Sequence, residues 1–109
     1  MKTSKKDFLI RINDLYKRIS CDEVFYLQSQ GKYVSLFLEN REYSFRGTLK
    51  ELEQALPANF LRTHSSYIVN LDKISHIRNA DNTIGLTNDK EISYSRTHKD
   101  NLLNQFIVG

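Results

Sequence analysis

The chain predicts a mostly-β domain with one short central helix and a second helix near the C-terminus. Three observations carry that prediction. Eight or nine short runs rich in β-branched and aromatic residues recur along the chain, several of them alternating apolar and polar side chains with the period of two that a strand imposes. Clusters of Asn, Asp, Gly and Glu punctuate these runs. Only one internal stretch, around Leu49, Leu52, Glu53 and Leu56, has the spacing of a helix with a single apolar face.

Residues 1–6 are polar and basic and read as a disordered lead-in or a linker remnant, leaving 7–109 as the domain. Phe8, Ile10 and Ile12 alternate with Leu9, Arg11 and Asn13, which predicts a strand. Asn13-Asp14 turns the chain into a second strand over Leu15 to Ile19, and Cys21-Asp22-Glu23 interrupts before a third over Val24 to Leu27. Apolar residues then vanish, so Gln28 to Lys32 reads as a loop in which Gly31 can take a positive φ. Tyr33 to Leu38 and Tyr43 to Arg46 form a hairpin about Glu39–Glu42. Thr48 and Glu51 stand at the capping-box spacing, and Pro57 ends the helix. After the apolar pair Phe60-Leu61, Arg62 to Ser66 reads as a polar loop feeding a Tyr67–Asn70 strand. Lys73 to Ile77 is a further strand, and Thr83–Thr87 with Glu91–Tyr94 makes a last hairpin. Ser95 is the expected N-cap of a terminal helix whose apolar residues are Leu102, Leu103 and Phe106.

A chain of 109 residues is long enough for one modest core without covalent staples. One cysteine, Cys21, excludes an internal disulfide framework and makes a reducing cytoplasm the default. No apolar run is long enough to span a bilayer, so no membrane role is expected. Net charge is +3, concentrated at the start: residues 1–20 carry +4, 21–60 carry −2 and 61–109 carry +1. That balance permits a polyanionic partner without requiring one.

Catalysis is not expected. His64 with Ser65, Ser66 and Asp72 has the letters of a hydrolase triad but no glycine-flanked nucleophile elbow. His64, His76 and His98 are 12 and 22 residues apart, without an i,i+4 pair or a cysteine cluster, so no metal site is expected. Glycines at 31, 47, 85 and 109 build no phosphate-binding loop, and no cofactor is expected. The chemistry that does concentrate is that of polyanion binding. Arg62-Thr63-His64-Ser65-Ser66 supplies a guanidinium fork, an imidazole and hydroxyls suited to phosphate oxygens and base edges. Arg96-Thr97-His98-Lys99 puts cations at the start of the expected terminal helix, where backbone N–H groups favour anions.

The run Phe60, Arg62, His64, Ser66, Tyr67, Ile68, Val69, Asn70 and Ile74 matches, without a gap, the pattern F-x-R-x-H-x-S-Y-I-V-N-x-x-x-I. It resembles the signature of the LytTR family of bacterial DNA-binding domains. The resemblance extends from about Leu9 to Leu103 and includes Leu49-Lys50-Glu51-Leu52-Glu53 and Ile92-Ser93-Tyr94-Ser95-Arg96. It implies small antiparallel sheets packed into an elongated β body, with loops entering successive grooves of a duplex. By that resemblance Gln30 and Lys32 lie on a loop that reaches DNA, Lys32 being able to meet phosphate or guanine N7/O6. Arg62 and His64 are candidates for phosphate contact, Arg96 for base contact and Lys99 for phosphate, with His98 a DNA-binding candidate beside them. At Ser65 relatives often carry a longer side chain, so the short serine departs from their direct readout.

The resemblance implies sequence-specific double-stranded DNA binding by a transcription regulator, as the output domain of a two-component response regulator. The chain reads as either a stand-alone regulator or the excised output domain of a two-component protein; homodimers on repeated half-sites and, in the second case, a receiver domain in cis are the expected partners. Two alternatives stay open on the residues alone. One is a single-stranded nucleic-acid binder stacking bases on Tyr26, Tyr33 or Tyr43; the other is a protein-interaction module using exposed strand edges.

Overall fold

The computed structural model describes residues 7–109, so the expected lead-in at 1–6 lies outside the described residues. Among the described residues, ten strands and two short α-helices form a mostly-β body with extents of 48 × 37 × 25 Å. In chain order the strands are β1 (Phe8–Ile12), β2 (Leu15–Ile19), β3 (Tyr26–Gln30), β4 (Tyr33–Phe37) and β5 (Glu42–Arg46), then helix α1 (Leu49–Ala55). After it come β6 (Phe60–His64), β7 (Tyr67–Asn70), β8 (Ile74–Arg78), β9 (Thr83–Leu86), β10 (Glu91–Ser93) and helix α2 (Lys99–Leu103).

A five-stranded antiparallel sheet, in the order β5-β4-β3-β7-β6, lies at the centre. Strand alternation gives it two apolar faces. Leu27, Val34, Leu36 and Ile68 bury one face with Ile10 and Ile19 of the β1–β2 hairpin and Leu49 of α1. Tyr26 and Val69 bury the other with Ile84, Leu86 and Ile92 of the β10-β9-β8 sheet and Leu102 of α2. The central sheet is thus a shared wall between two cores, which makes the domain three layers deep.

Local chemistry accounts for the elements. Thr48 caps α1, its Oγ1 accepting from Glu51 N at 3.2 Å and donating to Glu51 Oε1 at 3.2 Å. Asn13 and Gly31 take positive φ at the β1–β2 and β3–β4 turns. Asn70 is 1% exposed and acts as a structural knot. Its Nδ2 donates to Val24 O at 2.8 Å, while its Oδ1 accepts from Asn59 Nδ2 at 2.9 Å and Asp72 N at 3.0 Å.

The structure corrects three expectations. The Gln28–Lys32 loop is strand as far as Gln30, with only Gly31 and Lys32 left as a turn. Polar side chains misled there, because backbone pairing with β4 continues to the register pair Gln30–Tyr33. The expected Arg62–Ser66 loop is strand as far as His64, with a register shift between Arg62 and His64. Phe60 and Thr63 are buried, so this polar-looking run is anchored from within. Finally, the terminal helix opens as a 3₁₀ turn over Arg96–His98, and α2 ends at Leu103 with Phe106 41% exposed. Ser95 makes no side-chain cap to the backbone; its Oγ instead hydrogen-bonds His98 Nδ1.

Candidate nucleic-acid interface

Antiparallel order decides which segments meet. β3 runs toward Gln30, and β7 begins at Tyr67 opposite Gln28. The β3–β4 turn (Gly31, Lys32) and the β6–β7 turn (Ser65, Ser66) therefore leave the sheet at the same end. Ser29 N donates to Ser66 O at 3.0 Å and stitches them together. The third segment arrives from β10. Ser95 N donates to Thr63 O at 2.9 Å, so Arg96–Lys99 starts against the outer edge of β6. α2 also packs on β6. The segments around Lys32, Ser65 and Arg96 thus gather about one end and one edge of a single sheet.

The individual side chains differ in how far they are engaged. Gln30, Lys32, Ser65 and Arg96 are exposed, whereas Arg62, His64, His98 and Lys99 are half-buried. Arg62 turns toward the protein: Nε donates to His64 O at 2.9 Å, Nη2 to Ser65 O at 2.8 Å, and Nη1 meets Glu53 Oε1 at 2.8 Å. Three of its five N–H donors are taken up holding the turn. His64 accepts Ser66 N at Nδ1, 3.0 Å away, so the neutral ring carries its proton on Nε2. The ring lies 5.3 Å from that of Tyr67. His98, bonded to Ser95 Oγ through Nδ1, closes the 3₁₀ turn that presents Arg96. The five-residue α2 does not supply the helical N-terminal anion site expected for Arg96–Lys99.

Arg46, not singled out by sequence reading, belongs to the same end. It ends β5 opposite Tyr33, and the adjacent Gly47 N donates to Lys32 O at 3.1 Å. Counting hairpin register back from the Glu39–Glu42 turn would have found it. The opposite end of the sheet carries the β4–β5 turn. There Asp22, Glu23, Glu39, Arg41 and Lys73 line an open polar pocket of about 360 Å³. Asp22, Glu23 and Glu39 thus lie at this far end with Arg41 and Lys73 among them, whereas Lys32 and Arg46 lie at the other end and Arg96 along the β6 edge.

Among the described residues no group of three or more His, Cys, Asp or Glu could hold a metal ion. No helix among them is long and apolar enough to cross a membrane.

Comparison with known proteins agrees with this architecture. Residues 14–107 match the family model described as the LytTr DNA-binding domain. The sensory transduction protein LytT of Enterococcus faecalis is 31% identical over 84 residues, which cover 73% of this chain and 35% of that protein. Accessory gene regulator protein A of Staphylococcus aureus is 34% identical over 85 residues, covering 76% of this chain and 34% of its own length. The chain thus spans about a third of the length of these relatives. A solved LytTr DNA-binding domain from Bacillus cereus superposes with a TM-score of 0.80 at 22% identity, covering 93% of this chain and 96% of that one. The three-layer β body and the match over 14–107 lead to one conclusion: this chain belongs to the LytTr DNA-binding domain family.

Proposed function

We propose that the domain binds double-stranded DNA sequence-specifically as the output module of a response regulator, and that it acts by binding rather than by catalysis. The Gly31–Lys32 turn, the Ser65–Ser66 turn and the Arg96–Lys99 segment would enter neighbouring grooves of one duplex. Lys32 and Lys99 would anchor on phosphates, Arg96 would read a base edge, and Gln30, Ser65 and His98 would line the contact. His64 and Arg62 would hold the second turn in shape. A domain gripping at several points along a duplex also senses how readily that duplex deforms, which adds specificity beyond direct contacts.

The observation that carries this reading is the meeting of the three segments through the Ser29–Ser66 and Ser95–Thr63 backbone bonds. The relatives' roles in sensory transduction and gene regulation, and their roughly threefold greater length, support a regulator working with a receiver domain in cis. Pairs of such domains on repeated half-sites, in the cytoplasm where bacterial DNA lies, complete the proposal.

Single-strand binding fits less well. Tyr26 is buried and stacked on Phe37 at 4.5 Å, and burial pushes its phenol above the usual range, with Tyr67 and then Glu42 adding to the rise. Tyr43 packs against the core, leaving Tyr33 as the exposed platform among the three tyrosines. Selection from a random duplex library tests the proposal. An enriched motif bound far more tightly than bulk duplex or single strands is expected. Equal retention of all duplexes, or preference for single strands, would overturn it.

A further inference from the structure

We infer that Glu53 of α1 is a positioning residue for DNA binding, acting through Arg62 to fix the β6–β7 turn; this rests on the duplex-binding reading above. Arg62 pairs with Ile68 across β6 and β7, on the sheet face that α1 covers. Its guanidinium meets Glu53 Oε1 on one side at 2.8 Å. It donates to the carbonyls of His64 and Ser65 at 2.9 and 2.8 Å. A guanidinium is a rigid plane, so a carboxylate holding one nitrogen aims the other donors. Those two carbonyls belong to the backbone that presents the exposed Ser65 beside the β3–β4 turn.

The same pair also borders the third segment across a cavity. A cavity of about 230 Å³ lies between α1, β6 and α2, and Glu53, Arg62, His98 and Asn101 share its lining. Glu53 and Arg62 side chains are 41% and 24% exposed, so as an isolated ion pair they add little to global stability. Their effect falls on geometry: α1, which offers no element to the proposed interface, sets the shape of a turn that does. Glu53 itself needs no contact with DNA.

The test uses the ¹⁵N-labelled chain and a duplex enriched by the wild type. Glu53→Gln keeps the shape of the side chain and removes its charge. The variant is expected to stay folded, to move the Arg62 Nε–Hε and the Ser65 and Ser66 amide signals, and to bind about fivefold more weakly. The slope of log Kd against log salt should not change, because no phosphate contact is lost. Glu53→Asp should restore part of the affinity. Arg62→Gln should weaken binding further, again at constant slope. Native affinity in Glu53→Gln would overturn the inference. So would a slope smaller by about one in Arg62→Gln, which would make Arg62 a phosphate contact instead. Should the wild type bind no duplex, the duplex-binding reading fails, and the amide signals alone decide: displaced signals support the clamp and unmoved ones overturn it.

Discussion

Arg96 and Lys99 sit three residues apart and should behave differently. Arg96 is exposed on a 3₁₀ turn closed by Ser95 and His98, so its guanidinium starts from a fixed base. Arg96→Ala is expected to cost about 1–3 kcal/mol on the selected duplex and to relax preference at one position. Lys99, half-buried at the start of α2, carries a point charge suited to phosphate. Lys99→Ala should weaken all duplexes alike and lower the salt slope by about one. Mobility-shift titrations at several salt concentrations distinguish the two. Unchanged affinity and preference in Arg96→Ala would remove Arg96 from the interface. At this scale the sequence was informative about residue type and silent about engagement. The letters of Arg62 and His64 suit phosphate equally well whether the side chains face solvent or backbone, and only the fold turns them inward to the 64–66 turn. Glu53 was legible only as an acidic residue on a helix face, since its partner nine residues away is brought to it by tertiary packing.

Elements were read best where side-chain pattern and backbone pairing agree. The β1–β2 hairpin, α1 with its Thr48 cap and the β9–β10 hairpin have strong alternation or capping chemistry and appear close to where their residues predict them. Failures came where polar side chains occupy paired backbone. Gln28 to Gln30 continue β3, and Arg62 to His64 continue β6, because central and neighbouring strands satisfy their N–H and C=O groups whatever the side chains are. The terminal helix was overestimated for the opposite reason: Leu102 finds a core and Phe106 does not. The energetic role of α1 can be measured separately from binding. Leu52 packs against the core beneath the central sheet without being fully buried. Leu52→Ala should cost about 2 kcal/mol in urea denaturation, at the low end for leucine truncations, while leaving base preference unaltered. Altered preference in a fully folded Leu52→Ala protein would show that the α1 core face, and not only Glu53, shapes the contact.

The whole molecule is a sheet with two covered faces and two chemically different ends. The faces hold the cores, which leaves the ends and edges for recognition. One end gathers Lys32, Arg46 and Ser65, with Arg96 arriving along the β6 edge; the other mixes Asp22, Glu23 and Glu39 with Arg41 and Lys73. Strand order, which places these groups, could not be deduced from strand positions alone; the family resemblance supplied the kind of body and the structure supplied the register. The most direct measurement is amide chemical-shift mapping of the ¹⁵N-labelled domain titrated with its selected duplex. Large, saturable shifts should appear together at Gln30–Lys32, Ser65–Ser66 and Arg96–Lys99 while Glu39–Arg41 stays unmoved. Shifts at only one of those segments, or centred on the β4–β5 turn, would contradict a joint grip on the double helix.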